Sequence, residues 1–195
     1  MSKVAYMDEP NTFETGPIRP PSEAGSYLLR LTRNCPWNRC SFCRTYKSEK
    51  FSLRDPEEIE RDIDAMAKIR DRLLTSDTIP EWSEFRLRNG VSSPEEWMVL
   101  NALAAGGRTA FLQDADSLVM KPDNLRRVLT HFKKKFPEVM RITTYARSRT
   151  LARLSLEDLR TYRELFLTRV HIGMETGHDP LLELTVPGLL ARTVA

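Results

Sequence analysis

The sequence predicts an α/β protein: a partial parallel α/β barrel of about four strands behind an irregular N-terminal leader. Three observations carry that expectation. Short apolar runs of strand length alternate with segments whose apolar residues recur at helical spacing, the pattern of consecutive βαβ units. Polar residues of chemical interest fall at the C-terminal ends of those runs, where parallel α/β architectures gather their chemistry. The chain has 195 residues, short of the about 250 typical of a closed eight-stranded barrel. With 41% hydrophobic residues it can nevertheless bury one core. One domain is expected, with a leader over 1–25, the partial barrel over 26–185 and an atypical tail over 186–195.

In the leader, Pro10, Pro20 and Pro21 remove backbone donors and fix φ, which disfavours both helix and central strand. Tyr27-Leu28-Leu29-Arg30-Leu31-Thr32 is the first strand, and it runs directly into a cysteine-rich loop. Asp55-Pro56-Glu57-Glu58 then opens a helix: Asp55 can cap, Pro56 suits the first position and Glu58 completes a capping box. Ile59, Ile63, Met66, Ile69 and Leu73 give that helix one buried face. Residues 75–92 lack periodicity and read as a connecting excursion. Ser93-Pro94-Glu95-Glu96 starts a second helix, with Trp97, Leu100 and Leu103 inward and Gly106-Gly107 at its end. Thr109-Ala110-Phe111-Leu112 is the second strand, and Leu125, Val128, Leu129, Phe132 and Phe136 mark the next helix. Arg141 to Tyr145 is the third strand, a helix capped by Ser155 follows, and Arg169 to Gly173 is the fourth.

Charge and hydropathy narrow the class of function. Thirty basic against 27 acidic residues leave a net charge of +3, too little to indicate nucleic acid. Lys133-Lys134-Lys135 reads as a solvated helix end. No stretch approaches the roughly 18 apolar residues of a membrane span, and the N-terminus lacks the apolar core of a signal peptide. Three cysteines is an odd number, which speaks for a reducing compartment over a secreted disulfide framework, so a cytoplasmic location is expected.

All three cysteines fall in Asn34-Cys35-Pro36-Trp37-Asn38-Arg39-Cys40-Ser41-Phe42-Cys43. Thiolates are soft ligands, suited to an iron–sulfur cluster or, less distinctively, to zinc. A four-iron cluster held by three protein thiolates keeps one iron corner open, where a small molecule can bind. Zinc would need a fourth ligand, and the histidines fit that role poorly: His131 lies in a predicted helix, His171 in mid-strand, and only His178 near the rim.

The pattern Cys35-x4-Cys40-x2-Cys43, with Phe42 before the last cysteine, resembles the cluster loop of radical S-adenosylmethionine (SAM) proteins. The common spacing there is Cys-x3-Cys-x2-Cys; the longer form, following Pro-Pro-Ser-Glu-Ala at 20–24, resembles a poorly characterised subgroup. Phe111-Leu112-Gln113-Asp114-Ala115-Asp116-Ser117-Leu118 is similar to that subgroup's second-strand segment, Tyr145-Ala146 to its third, and Ile172-Gly173-Met174-Glu175-Thr176-Gly177 to its fourth. The resemblance covers about residues 16–184 and stops where relatives continue into further strands. It implies a [4Fe-4S] cluster on Cys35, Cys40 and Cys43, with SAM chelating the open iron and cleaved reductively to a 5′-deoxyadenosyl radical. Phe42 would lie near adenine, and Asp114, Tyr145 and Glu175 would contact the amino group or ribose. An electron donor such as flavodoxin or ferredoxin is implied as a partner. The alternative is a non-catalytic iron–sulfur or zinc-binding half-domain, whose unpaired sheet edge invites association with another chain.

Overall fold

A computed structural model describes residues 12–75 and 93–188. The parallel sheet consists of β1 (Tyr27–Arg30), β4 (Thr109–Gln113), β5 (Arg141–Ala146) and β6 (Leu167–Ile172), in that spatial order. A two-stranded antiparallel ribbon, β2 (Thr32–Arg33) with β3 (Ser52–Leu53), follows β1. The helices are α1 (Pro56–Thr75), α2 (Pro94–Ala104), α3 (Pro122–Lys135), α4 (Ser148–Leu151), α5 (Leu156–Glu164) and α6 (Asp179–Thr185), with 3-10 turns at Pro21–Glu23 and Ser117–Val119. The α/β class and the four parallel strands agree with the sequence-based expectation. Among the described residues β1 and β6 remain the two edges, so the sheet is open.

Helix α1 packs against β1, α2 and α3, while α3 meets α5 and α5 covers β6. Ile59, Ile63, Met66, Ile69 and Leu73 of α1 are all buried, as the helical spacing predicts. Capping is as predicted for two helices: the Ser93 and Ser155 side chains accept from the amides of Glu96 and Asp158. Helix α2 departs from expectation. Its buried residues are Met98, Val99, Leu100 and Ala102, whereas Trp97 is 37% exposed. The helix is wedged against both α1 and β1, so its buried arc is broad and turned away from Trp97.

The first strand is also shorter than predicted. The Leu31 amide still donates to Gln113 O at 2.7 Å, but Thr32 and Arg33 peel away to pair with Leu53 and Ser52. That departure aims the chain into the cysteine loop. The fourth strand begins at Leu167 and ends at Ile172, earlier than predicted at both ends. The predicted excursion at 75–92 lies, beyond its first residue, outside the described residues, as do residues 189–195 of the tail.

Alternation separates the two faces of the sheet. Tyr27, in register with Ala110, packs at a tilt against Phe136 at the end of α3, with centroids 4.8 Å apart, which identifies the helix-covered face. Thr109, Phe111 and Gln113 point the other way, and their in-register neighbours Arg141, Thr143, Tyr145, Arg169 and His171 continue that face. It is polar, and the leader crosses it. Gln113 accepts from Gly16 N at 2.9 Å and donates to the carbonyls of Gly16 and Ile18 at 2.9 and 2.8 Å. Farther along, the fully buried Glu23 accepts from Ser26 Oγ at 2.5 Å and from Arg141. Among its described residues, from 12 onward, the leader has one 3-10 turn and no other regular structure, as predicted around Pro20 and Pro21, and its hydrogen bonds tie it to the sheet; Pro10 lies outside the described residues.

Phe136 is fully buried between Tyr27 and Phe132. Phe136→Ala is expected to lower the unfolding free energy by about 3–5 kcal/mol, measured by urea denaturation; a loss below about 1 kcal/mol would contradict this packing.

Candidate functional site

The cysteine loop closes over the C-terminal ends of β5 and β6 and leaves a cleft of about 270 Å³. Cys35, Trp37 and Cys40 form one wall, Tyr145, Arg147 and His171 another, and Gly173, Glu175 and Val186 a third. Val186, where the atypical tail was expected to begin, is buried here. Gly188 follows in a left-handed conformation, φ 78°, against the Trp37 ring.

Two asparagines shape the loop. Asn34 and Asn38 adopt φ of 69° and 47°, a region that asparagine tolerates better than most residues. The Asn34 side chain donates to Lys50 O at 2.7 Å and that of Asn38 to Tyr46 O at 2.5 Å, which ties the turn to the strand that leaves it. All three cysteines are free and half-buried. Burial, followed by the neighbouring Cys35 and Cys43 thiols and Glu175, pushes the Cys40 thiol above its usual range.

Asp114 anchors the start of this loop. It is fully buried, and its Oδ2 accepts from Arg30 Nε at 2.9 Å, Arg30 Nη2 at 2.6 Å and the Asn34 amide at 3.0 Å. Gly16 makes room for it, since a Cβ there would stand 1.7 Å from Asp114 Oδ1. The pair extends into a network: Glu14 accepts from Arg30 and Arg33, and Arg54 donates to Asp62 at 2.6 Å. Asp114 does not line the cleft, so its carboxylate is engaged in holding the loop rather than standing at the ligand position that the resemblance implies. Asp116 is likewise buried and accepts from Thr150 Oγ1 at 2.6 Å. Burial raises its carboxyl to about 6.

The other expected contacts are arranged differently. Tyr145 does line the cleft, held edge-on to Phe111 at 5.2 Å and tilted against His171 at 5.8 Å. Burial raises its phenol. Glu175 also lines the cleft, from a left-handed backbone at φ 62°, strain of the kind that gathers at functional positions. Gly173 permits this fold-back, because a Cβ there would lie 2.6 Å from Glu175 Oε1. Phe42 is 56% exposed and lies outside the main cleft, in an adjoining open groove shared with Glu175, Thr176, Leu181 and Thr185. The Ser41 amide, donating to Thr185 O at 2.9 Å, joins that part of the loop to α6.

Three further residues line the cleft: Trp37, read from the sequence as a shield for the cluster, Arg147, read as a polar residue of the rim beside Tyr145, and His171, to which the sequence assigned no role. Trp37 has the Arg147 guanidinium 4.1 Å from its ring centroid and that of Arg39 at 5.1 Å. His171 faces the cleft beside Tyr145, a placement that alternation along β6 from Gly173 would have indicated. Of the other histidines, His131 pairs with Asp64 at 2.9 Å and His178 precedes α6. Among the described residues no group of three or more His, Cys, Asp or Glu is arranged to hold a single metal ion.

Two predictions follow from the buried carboxylates. Removing Asp114 leaves Arg30 half-paired in a nearly closed site, so Asp114→Ala is expected to cost about 3 kcal/mol in urea denaturation and to speed alkylation of the loop thiols. Unchanged stability and thiol reactivity would remove Asp114 from that role. Asp116 binds its proton more tightly folded than unfolded, so the associated stability is complete below its ordinary value of 3.8 and is lost as pH rises through about 6. Relative to Asp116→Asn, the wild type should lose on the order of 3 kcal/mol between pH 4 and pH 7; parallel pH profiles would refute the assignment.

Compared with family models, curated proteins and solved structures, the chain finds no match in any of the three.

Proposed function

We propose that this chain is an iron–sulfur protein of the radical SAM type, in which Cys35, Cys40 and Cys43 hold a [4Fe-4S] cluster and SAM occupies the adjoining cleft. One observation carries the reading: three free thiols within a single short loop, two of them lining a cleft shared with Tyr145 and Glu175 at the strand ends. The donor set fits. Three soft thiolates suit a cluster with one open corner; a zinc site would need a fourth ligand, for which His171 in the same cleft is the available histidine. The cleft, at about 270 Å³, lies near the roughly 300 Å³ lower bound of small-molecule sites, and Glu175 joins it to the groove beside Phe42.

When bound and reduced, such a cluster supplies the electron that cleaves SAM to methionine and a 5′-deoxyadenosyl radical. The chain's residues bind, orient and exclude water. Glu175 can accept hydrogen bonds from an ammonium or a ribose hydroxyl, Tyr145 offers a hydroxyl from the cleft wall, and Trp37 shields the sulfurs. Phe42, on the open groove, suits the plane of an adenine. A flavodoxin- or ferredoxin-like donor would deliver electrons from outside. The unpaired β6 edge favours a second reading, a non-catalytic iron–sulfur or zinc half-domain that pairs with another chain.

Anaerobic reconstitution separates the readings. Iron and sulfide in near-equal amounts, lost in each of Cys35→Ala, Cys40→Ala and Cys43→Ala, are expected, and SAM should perturb the electron paramagnetic resonance signal of the reduced protein. Zinc without sulfide would end the proposal. Glu175→Gln should retain iron but bind SAM about tenfold or more weakly, since charge-assisted hydrogen bonds contribute roughly 1.5–3 kcal/mol each; equal calorimetric affinity would leave Glu175 as a turn residue.

A further inference from the structure

Arg147 brings a guanidinium into the cleft that Glu175 also lines. It sits half-buried just past the end of β5, two residues beyond Tyr145, with its guanidinium carbon over the Trp37 ring, 4.1 Å from the centroid. Among the described residues no carboxylate lies within ion-pairing distance of it and no protein acceptor takes its N–H groups. Burial draws it below the usual arginine range, opposed by the charges of Asp116, Cys35 and Cys40. Stacking on an indole offsets part of the cost of desolvating a cation and holds the fork rigid, but it leaves the in-plane donors unused. A second group points the same way. His171 Nε2 is sealed from solvent, has no hydrogen-bond partner and belongs to a side chain on the same wall. Buried polar atoms are ordinarily partnered, so two unfilled sites on one wall suggest a ligand that fills both.

We infer that the Arg147 wall of the cleft binds the carboxylate or phosphate of an anionic co-substrate, with His171 hydrogen-bonding the same group. The planar fork matches either oxyanion bidentately. Glu175, which lines the same cleft, disfavours a second anion, so the charged group of the ligand is directed to Arg147. The inference extends the reading above by naming the class of the second ligand, but the anion site itself can be tested without iron or SAM.

The test uses inorganic pyrophosphate and the fluorescence of Trp37, isolated in a Trp82→Phe/Trp97→Phe background of the full chain. A saturable change in emission is expected. Arg147→Gln should weaken binding about tenfold or more, Arg147→Lys less, and the exposed Arg126→Gln not at all. If Arg147→Gln alters the circular dichroism spectrum, the Lys variant decides, because it keeps the charge and loses only the fork. Absence of a saturable signal, or equal affinity in a folded Arg147 variant, overturns the site. Competition between SAM and pyrophosphate, with SAM affinity falling in parallel in Arg147→Gln, would assign the guanidinium to the SAM carboxylate and overturn the co-substrate. Pyrophosphate binding that persists alongside bound SAM supports it, and pyrophosphate binding by a protein that takes up neither iron nor SAM would sink only the radical SAM reading.

Discussion

The structure turns on one buried carboxylate. Asp114 follows β4 with no exposure to solvent, and the Arg30 guanidinium and the Asn34 amide meet on its Oδ2. A buried charge is tolerated only when its partners are close and well aligned, so it can specify one arrangement of the segments that supply them. Here those segments are the end of β1, the turn after β4 and the first residue of the cysteine loop. Glu14 from the leader shares Arg30, and Arg54 and Asp62 extend the network to the start of α1. The cysteines thus begin from a point tied to the sheet by charge.

The same logic repeats at the other end of the sheet. Glu23, also fully buried, gathers Ser26 and Arg141, with Arg169 at 3.6 Å. Between these two ionic knots Gln113 holds the leader's backbone with three hydrogen bonds. A proline-bearing segment whose described residues form a single 3-10 turn therefore covers a polar sheet face whose groups would otherwise need water or a further layer. The two faces use different physics: aromatic and aliphatic packing beneath the helices, and paired charges and amides beneath the leader.

The cleft combines three kinds of chemistry within a small volume. Two loop thiols, a carboxylate on a left-handed turn and a guanidinium over an indole all line it. Restricted solvent strengthens each electrostatic interaction relative to water. Burial accordingly moves Cys40 and Arg147 each toward its neutral form, and ligands that restore opposite charge would be favoured there. Phe42 stands outside this arrangement, on the groove that Glu175 shares.

Local pattern was enough for the elements and for the loop. Helical spacing in α1 and α3, the serine caps of α2 and α5 and the strand alternation depend on neighbours a few residues away, and each is present in the structure. The three cysteines within one short loop, and Tyr145 and Glu175 at strand ends, were legible because strand ends share a rim in parallel sheets. What the sequence left open depends on contacts between distant segments. Whether Asp114 faces a ligand or an arginine is set by Arg30, 84 positions away, and which side of α2 is buried is set by its simultaneous contact with α1 and β1. The pairing of Arg147 with Trp37 and the empty valence of His171 arise only when the loop folds over β5 and β6. Periodicity records which residues leave water, but partners for buried charges are chosen in three dimensions, and that choice belonged to the tertiary structure alone.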